Sequence, residues 1–485
     1  MQETDRGFTE SATMYAPAQI EMSQDAQPLG AIVKARRFFW LYCILWVIEG
    51  AIRKWVLPQF SIQLLLMRDP VVLLIYYYTA QARVFPMNAW MGFLWLVTGL
   101  ISVQALIHAM TGDVSLMVAV FGIRTFILHM PLIWVIPALL GRKEIMTFGK
   151  WVLYIAPFMA LLMVIQFEVG GDHWLNVATL KGGAQIGSAF GKIRPPGLFS
   201  FITGPIHFFP LVTAFAVGGV LTKKLYPPWL LAAGAISVLM AMSVSASRSL
   251  VLGCILVAAA GTLASVVTGK RIGAMMAMSA LLLLAVSVLA SFGVMKEGVD
   301  AFMDRWGSEE ESGASGGKVM TQRVGGGFAS AFDWAGRVPI TGLGVGLSSN
   351  LATQRKNFES GVEGEWERVI YEVGPVTGFM YLGFRTALAV HLILLGFGVL
   401  RSGNFLCFLL GSACFFDILS GNVRQVTSYG YIGVCAGLCL AARKAFSSES
   451  EMETAIVPQA EFLAIEKPKP RGRGRFSVGG NPVQP

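Results

Sequence analysis

The sequence predicts an all-α polytopic integral membrane protein of about twelve transmembrane helices, with a large, partly helical loop between helices 9 and 10. Three observations predict it. Of the 485 residues, 54% are hydrophobic and 14% are charged, and the mean hydropathy is +0.61; a soluble domain carries about a quarter charged residues. A series of apolar windows is long enough to cross a hydrocarbon layer of about 30 Å. The connections between those windows alternate in charge, as membrane topology requires.

The windows run over 38–57, 60–79, 88–110, 114–140, 151–169, 199–221, 227–246, 249–268, 272–294, 372–400, 403–420 and 427–442. The first follows Lys34, Arg36 and Arg37 and a polar, irregular start, so it reads as an uncleaved anchor rather than a signal peptide. It carries Glu49, Arg53 and Lys54; the second carries Arg68 and Asp69, then Pro70. The tenth holds Arg385 and His391 and is long enough to be tilted or broken, and the twelfth is short.

Basic residues mark every second connection: Lys34/Arg36/Arg37, Arg83, Arg142/Lys143, Lys223/Lys224, Lys270/Arg271, Arg401 and Arg443/Lys444. Twelve spans with both termini cytoplasmic require that pattern. The expected layout is a disordered cytoplasmic tail over 1–35, a membrane domain over 36–444, and a disordered basic cytoplasmic tail over 445–485. The run KPKPRGRGR at 467–475 should lie against anionic lipids of the inner leaflet. The net charge of +9 therefore orients helices, and no nucleic-acid partner is expected. The six cysteines all lie in apolar runs, without a CxxC pair. No P-loop, zinc pattern or nucleophile elbow occurs, so neither cofactor nor metal is expected.

On the opposite side, two connections are long, 170–198 and 295–371. The second passes from the amphipathic GVDAFMDRWG through EEESGASGGK, and its glycines and serines predict a mobile, partly helical lid. The basic residues here (Arg194, Arg248, Arg323, Arg337, Arg368) run against the orientation rule, so orientation does not explain them.

Arg248, in SASRSLVLG, falls where window seven gives way to window eight. A guanidinium in such a place stays charged and calls for an anionic partner. Arg194, in GKIRPPGLFS, precedes window six at the same depth, behind prolines and a glycine that stop the helix early. Two planar guanidinium forks at one level suit a lipid-linked phosphate or pyrophosphate; the competing reading is contact with headgroups or pairing with a carboxylate. The segment GVEGEWERVIYEVGP leads into window ten. Arg368 and Glu372 are spaced to pair on a helix face, whereas Glu363 and Glu365 have no such local partner. A partly dehydrated carboxylate there is a candidate general base on a hydroxyl; the competing reading is a solvated acidic loop. Glu49 with Arg53, and Arg68, Asp69 and Arg124, read as structural ion pairs reaching across helices. His207 in window six reads as a satisfied core histidine before it reads as a ligand.

Together these segments resemble the O-antigen ligase and O-antigen polymerase family of bacterial envelopes. RPPGLFS at 194–200 is similar to the family's Arg-x-x-Gly-x-Phe stretch, and SASRSLVLG at 245–253 to its Ser-Arg motif opening a small-residue helix. GLGVGLSSN at 342–350 and EWERVIYEVGPVTG at 365–378 are similar to its Gly-rich turn and its entry to span 10. EGAIRKW and RDP resemble an exopolysaccharide-polymerase-like branch. The resemblance implies metal-independent glycan transfer from undecaprenyl pyrophosphate at the periplasmic face of the inner (cytoplasmic) membrane. It implies that Arg194 and Arg248 contact the carrier pyrophosphate; Arg323, Arg337, Arg368 and Glu372 are further candidate substrate-binding residues. The family's ligases place a histidine in the large loop; Glu363 and Glu365 stand here instead, which favours a polymerase joining lipid-linked repeat units. The implied partners are undecaprenyl-pyrophosphate-linked donor and acceptor glycans, membrane lipids, and flippase and chain-length regulator proteins. A ligase moving a finished glycan to another acceptor, and a lipid-linked oligosaccharide flippase or transporter, are the alternatives.

Overall fold

The computed structural model describes residues 26–179, 192–222, 225–276, 316–349 and 364–465, with isolated positions between them. Window nine and the 299–315 part of the large loop lie mostly outside the described residues, as do the tails 1–25 and 466–485. Among the described residues no β-strand is formed, and the chain is a helical bundle.

Most of the described windows become helices, since an apolar run satisfies its backbone polar groups internally that way, as a lipid phase would demand. The named helices are α1 (Ala26–Ala51), α2 (Asp69–Gln81), α3 (Ala89–Thr111), α4 (Leu116–Ile127), α5 (Leu132–Leu139), α6 (Arg142–Glu168), α7 (Thr203–Leu221), α8 (Pro228–Val244), α9 (Arg248–Thr268), α10 (Gly316–Ala335), α11 (Glu365–Gly398), α12 (Phe405–Ser420) and α13 (Val426–Ile465). Five of them, α3, α6, α7, α9 and α11, are long and apolar enough to cross a membrane, or six spans if α4 and α5 count as one bent pair. The helices α8 and α12 are apolar but shorter.

The five or six qualifying helices do not establish the full set of twelve spans, and two of the described windows take a different shape from a single helix. In the second, only Asp69–Gln81 is α-helical, and residues 58–66 form short 3-10 turns. Pro58 and Pro70 account for this, since each starts a turn of helix and neither continues one. Thirteen residues rise about 20 Å, short of a hydrocarbon core. The fourth window breaks at 128–131 and bends by 50°, where Pro131 cannot continue the ladder of α4. At the C-terminus, α13 runs to Ile465, past residue 444 where the tail was expected to begin.

The centre of the bundle is α7, buried on nearly every face, as a helix apolar all round should be. It packs against α6, α8, α9 and α12. Helix α11 packs on α10 and α12 and breaks at its start. There Gly374 takes φ 72° and ψ 171° ahead of Pro375, a region only glycine enters readily. The break leaves carbonyls of the first turns without helical donors, and the Gly-rich turn at 342–346 supplies them. Leu343 N–H donates to Tyr371 O (2.9 Å) and Gly344 N–H to Glu372 O (3.3 Å). A methyl group on Gly374 would overlap the Ile340 carbonyl oxygen, and one on Gly342 the Glu372 carbonyl oxygen. The two motifs that the sequence sets apart thus lock together backbone to backbone.

Candidate functional site

The polar residues of the first two windows are tied down in pairs, as expected of charges within an apolar bundle. Glu49 accepts from Arg68 (2.8 Å) and from Arg53 (3.3 Å). Asp69 binds the Arg124 guanidinium and lies 3.3 Å from His129. One carboxylate, Glu49, therefore serves two guanidiniums. Arg53 carries the surplus outward: it also donates to Ser61 O (2.8 Å) and Ser200 Oγ (3.1 Å). The neighbouring Lys54 donates to Gly197 O (2.7 Å). The EGAIRKW and RPPGLFS segments are thereby clasped together at the end of the bundle where α7 begins.

The entry to α11 holds a second, fully buried network. Arg368 donates to Glu365 through two bonds of 2.9 Å and to Glu372 through one of 2.9 Å. Arg385, one helix face further on, donates to Glu365 at 2.7 Å. Arg385 also donates to the carbonyls of Asp417, Ile418 and Gly421, capping the end of α12, where such cations stabilise a helix. Glu372 additionally accepts from the Ser348 backbone N–H at 3.0 Å. The expected Arg368–Glu372 pair is present. Glu365, however, is not the carboxylate without local partners that its sequence neighbourhood suggested. It sits between two guanidiniums, and Arg385 is brought to it by the packing of α11. With its lone pairs engaged it acts as a strut, and the argument for it as a base on a hydroxyl falls away. Glu363, and the side chain of Arg323 within α10, lie outside the described residues. Arg337 is exposed on the turn after α10 and lines neither of the cavities described below.

Arg248 is buried in the first turn of α9, and Arg194 is half-buried in the segment that runs into α7. The preceding Ala246 is held at φ 44°, outside the usual range of a residue with a side chain. The turn between α8 and α9 is therefore over-determined by its surroundings, which fixes where Arg248 stands.

A cavity of about 310 Å³ opens at this end of the bundle. Its lining includes Arg53, Ser200, Thr203, Ser348, Asn422 and Arg424. Sequence reasoning missed Arg424, a single arginine in the short connection between α12 and α13. Among the described residues its donors meet neutral acceptors, Asn422 Oδ1 (3.3 Å) and Ser348 O (3.1 Å). Among the described residues no carboxylate lies within ion-pair distance of it. Burial, and then the Arg368 guanidinium nearby, outweigh the Glu365 and Glu372 carboxylates and hold Arg424 below the ordinary arginine value. That is the signature of a cation whose charge its surroundings leave under-compensated. An anion entering the cavity would relieve it.

A second cavity, of about 280 Å³, adjoins the first and shares Thr203 and Asn422 with it. It lies between α7, α9 and α12, with His207, Ser249 and Asp417 on its walls. Among the described residues no group of three His, Cys, Asp or Glu side chains is placed to hold a metal ion.

Five segments that are remote in sequence meet at this one end: EGAIRKW, RPPGLFS, the start of α9, the Gly-rich turn, and the α12–α13 connection. The comparisons add no relative to this geometry: no protein-family model and no curated protein matches the chain.

Proposed function

We propose that the chain is a multi-pass membrane glycosyltransferase that polymerises undecaprenyl-pyrophosphate-linked repeat units at the periplasmic face of the bacterial inner membrane. In this reading it has about twelve spans and cytoplasmic termini, and no metal takes part. The observation that carries it is the basic cavity at the end of the bundle where α7 and α9 begin. In this reading that end faces the outer side, which the alternation of loop charges supports. A lipid carrier presents its pyrophosphate at this depth, at the head of its polyprenyl tail. Arg424 and Arg53 line the cavity, whereas Arg248 and Arg194 stand at the same end without lining either cavity. Guanidiniums there stabilise the charge that develops on the departing pyrophosphate, which lowers the barrier to glycan transfer. The Glu365–Arg368–Glu372–Arg385 network holds the cavity wall through Ser348 and the end of α12.

Two outcomes test this. Arg248→Ala is expected to leave insertion intact and abolish polymer, with Arg248→Lys retaining short chains, because a single ammonium replaces a two-pronged donor. Full-length polymer from an Arg248→Ala protein present at normal membrane levels would defeat the reading. Arg424→Gln should weaken binding of undecaprenyl pyrophosphate to the detergent-solubilised protein by about 10- to 100-fold, the worth of one charge-assisted hydrogen bond. Equal binding by variant and wild type would remove Arg424 from the site. Transfer of the glycan onto a different acceptor, or its movement across vesicles without elongation, would replace the polymerase by a ligase or a transporter.

A further inference from the structure

We infer that Asp417 is the catalytic proton acceptor of this site, with His207 and Ser428 as the residues that position it. The inference rests on the glycosyl-transfer reading above and supplies the base that Glu365, bound up in its ion network, does not.

The geometry is a relay across three helices. Asp417 Oδ1 lies 3.2 Å from His207 Nδ1. His207 Nε2 lies 2.7 Å from Ser428 Oγ. The imidazole also stacks on Tyr431, with centroids 4.9 Å apart and planes 14° from parallel. Nε2 accepts from the Ser428 hydroxyl in the tautomer that carries its proton on Nδ1. Nδ1 stands at contact distance from Asp417 without forming a directed hydrogen bond to it among the described residues. His207 and Ser428 are buried, whereas the Asp417 side chain is 19% exposed and lines the second cavity. The carboxylate is thus the member of the relay that a substrate reaches. Apart from the His207 contact, neither carboxylate oxygen takes a hydrogen bond from the described residues, so both can accept from the cavity. The three carbonyls that Arg385 grips fix the end of α12 from which Asp417 projects.

The surroundings suit a sugar. Thr203, Ser249, Ser420 and Asn422 offer hydroxyl and amide groups around the carboxylate, and Phe416 offers an aromatic face. The cavity opens through Thr203 and Asn422 onto the basic one. A hydroxyl held at Asp417 therefore lies beside the space assigned to the pyrophosphate. The step balances as a single displacement. The acceptor hydroxyl oxygen forms the new bond to the donor's anomeric carbon, and its proton passes to Asp417. The bond from that carbon to the pyrophosphate oxygen breaks, its electron pair leaving on the pyrophosphate, where the guanidiniums meet the added charge. Asp417 later releases the proton to water.

The experiment uses the full-length protein in proteoliposomes. Its substrate is the lipid-linked repeat unit that accumulates in host cells deleted for this protein. Asp417→Asn, which keeps shape and removes basicity, should lower kcat by at least about 100-fold with KM for the lipid-linked unit unchanged. Asp417→Glu should recover part of the loss. For the positioning residue, His207→Asn keeps a donor towards Asp417 and should retain more kcat than His207→Leu, again at constant KM. Wild-type turnover by Asp417→Asn, with the unmutated protein elongating normally, overturns the base assignment and leaves the polymerase reading standing. Absence of elongation by the unmutated protein overturns both. If Asp417→Asn fails to accumulate in the membrane, the His207 pair decides: equal turnover by the Asn and Leu variants overturns the assignment.

Discussion

Replacing Arg385 by Met is expected to cost about 3–5 kcal/mol of stability, the range for stripping one partner from a buried ion pair. Arg385 is fully buried and donates to Glu365, Asp417 O, Ile418 O and Gly421 O. In the wild type two carboxylates face two guanidiniums, so the network is neutral. Without Arg385 it carries a net negative charge in an apolar setting, and three carbonyls at the end of α12 lose their donor. Either change alone is costly, because a buried group left without its partner bears its full desolvation penalty. The measurement is the thermal midpoint of the purified protein in detergent. The double variant Arg385→Met with Glu365→Gln should recover part of the loss, since it removes the surplus charge while Arg368 keeps a partner in Glu372. A midpoint for Arg385→Met within error of wild type would mean that the network does not support the bundle. The prediction also bears on function, because Arg385 fixes the helix end from which Asp417 projects. Conditions that leave the variant folded should still lower its turnover.

Much of the fold is written in the sequence as apolar runs, and the physics of a lipid phase explains why. A stretch such as 88–110 has one way to satisfy its backbone, and α3 at Ala89–Thr111 takes it. The windows that depart from a single helix are those where proline falls at a helix start or a bend: Pro58 and Pro70 shorten α2, and Pro131 splits α4 from α5, whereas Pro157 and Pro210 are carried inside α6 and α7. The candidate site was less legible because its partners are remote. Glu365 meets Arg385 only across the kink of α11. His207 looked like a core histidine because Asp417 and Ser428 are brought to it by α12 and α13, far along the chain. Arg424 escaped notice as a lone charge in a short connection; its burial against neutral acceptors is a tertiary fact. Local spacing did reveal the Arg368–Glu372 pair, since four residues on one helix bring two side chains together without help from the rest of the fold.

The Gly374→Ala substitution should be still more damaging than its size implies. The residue holds φ 72° and ψ 171°, where a side chain costs about 1–3 kcal/mol in backbone strain alone. The added methyl would also overlap the Ile340 carbonyl oxygen and crowd Gly342 N, and both are backbone atoms that cannot rotate away. Relief requires the Gly-rich turn to withdraw from α11, which breaks the Leu343–Tyr371 and Gly344–Glu372 hydrogen bonds. Ser348 would move with it, and Ser348 both donates to Glu372 and accepts from Arg424. The total is expected to be on the order of 4 kcal/mol or more, among the large values for a single substitution. Gly383→Ala, on the same helix with open space around its Cβ position, is the control. It should be neutral or stabilising by up to about 1 kcal/mol, because alanine is the better helix former. Melting in detergent distinguishes the two, and binding of undecaprenyl pyrophosphate adds a second readout. Since the strain is released through the turn that carries Ser348, any folded Gly374→Ala protein should bind the carrier as weakly as Arg424→Gln. Normal melting by Gly374→Ala would show that the turn and the break in α11 are not locked together.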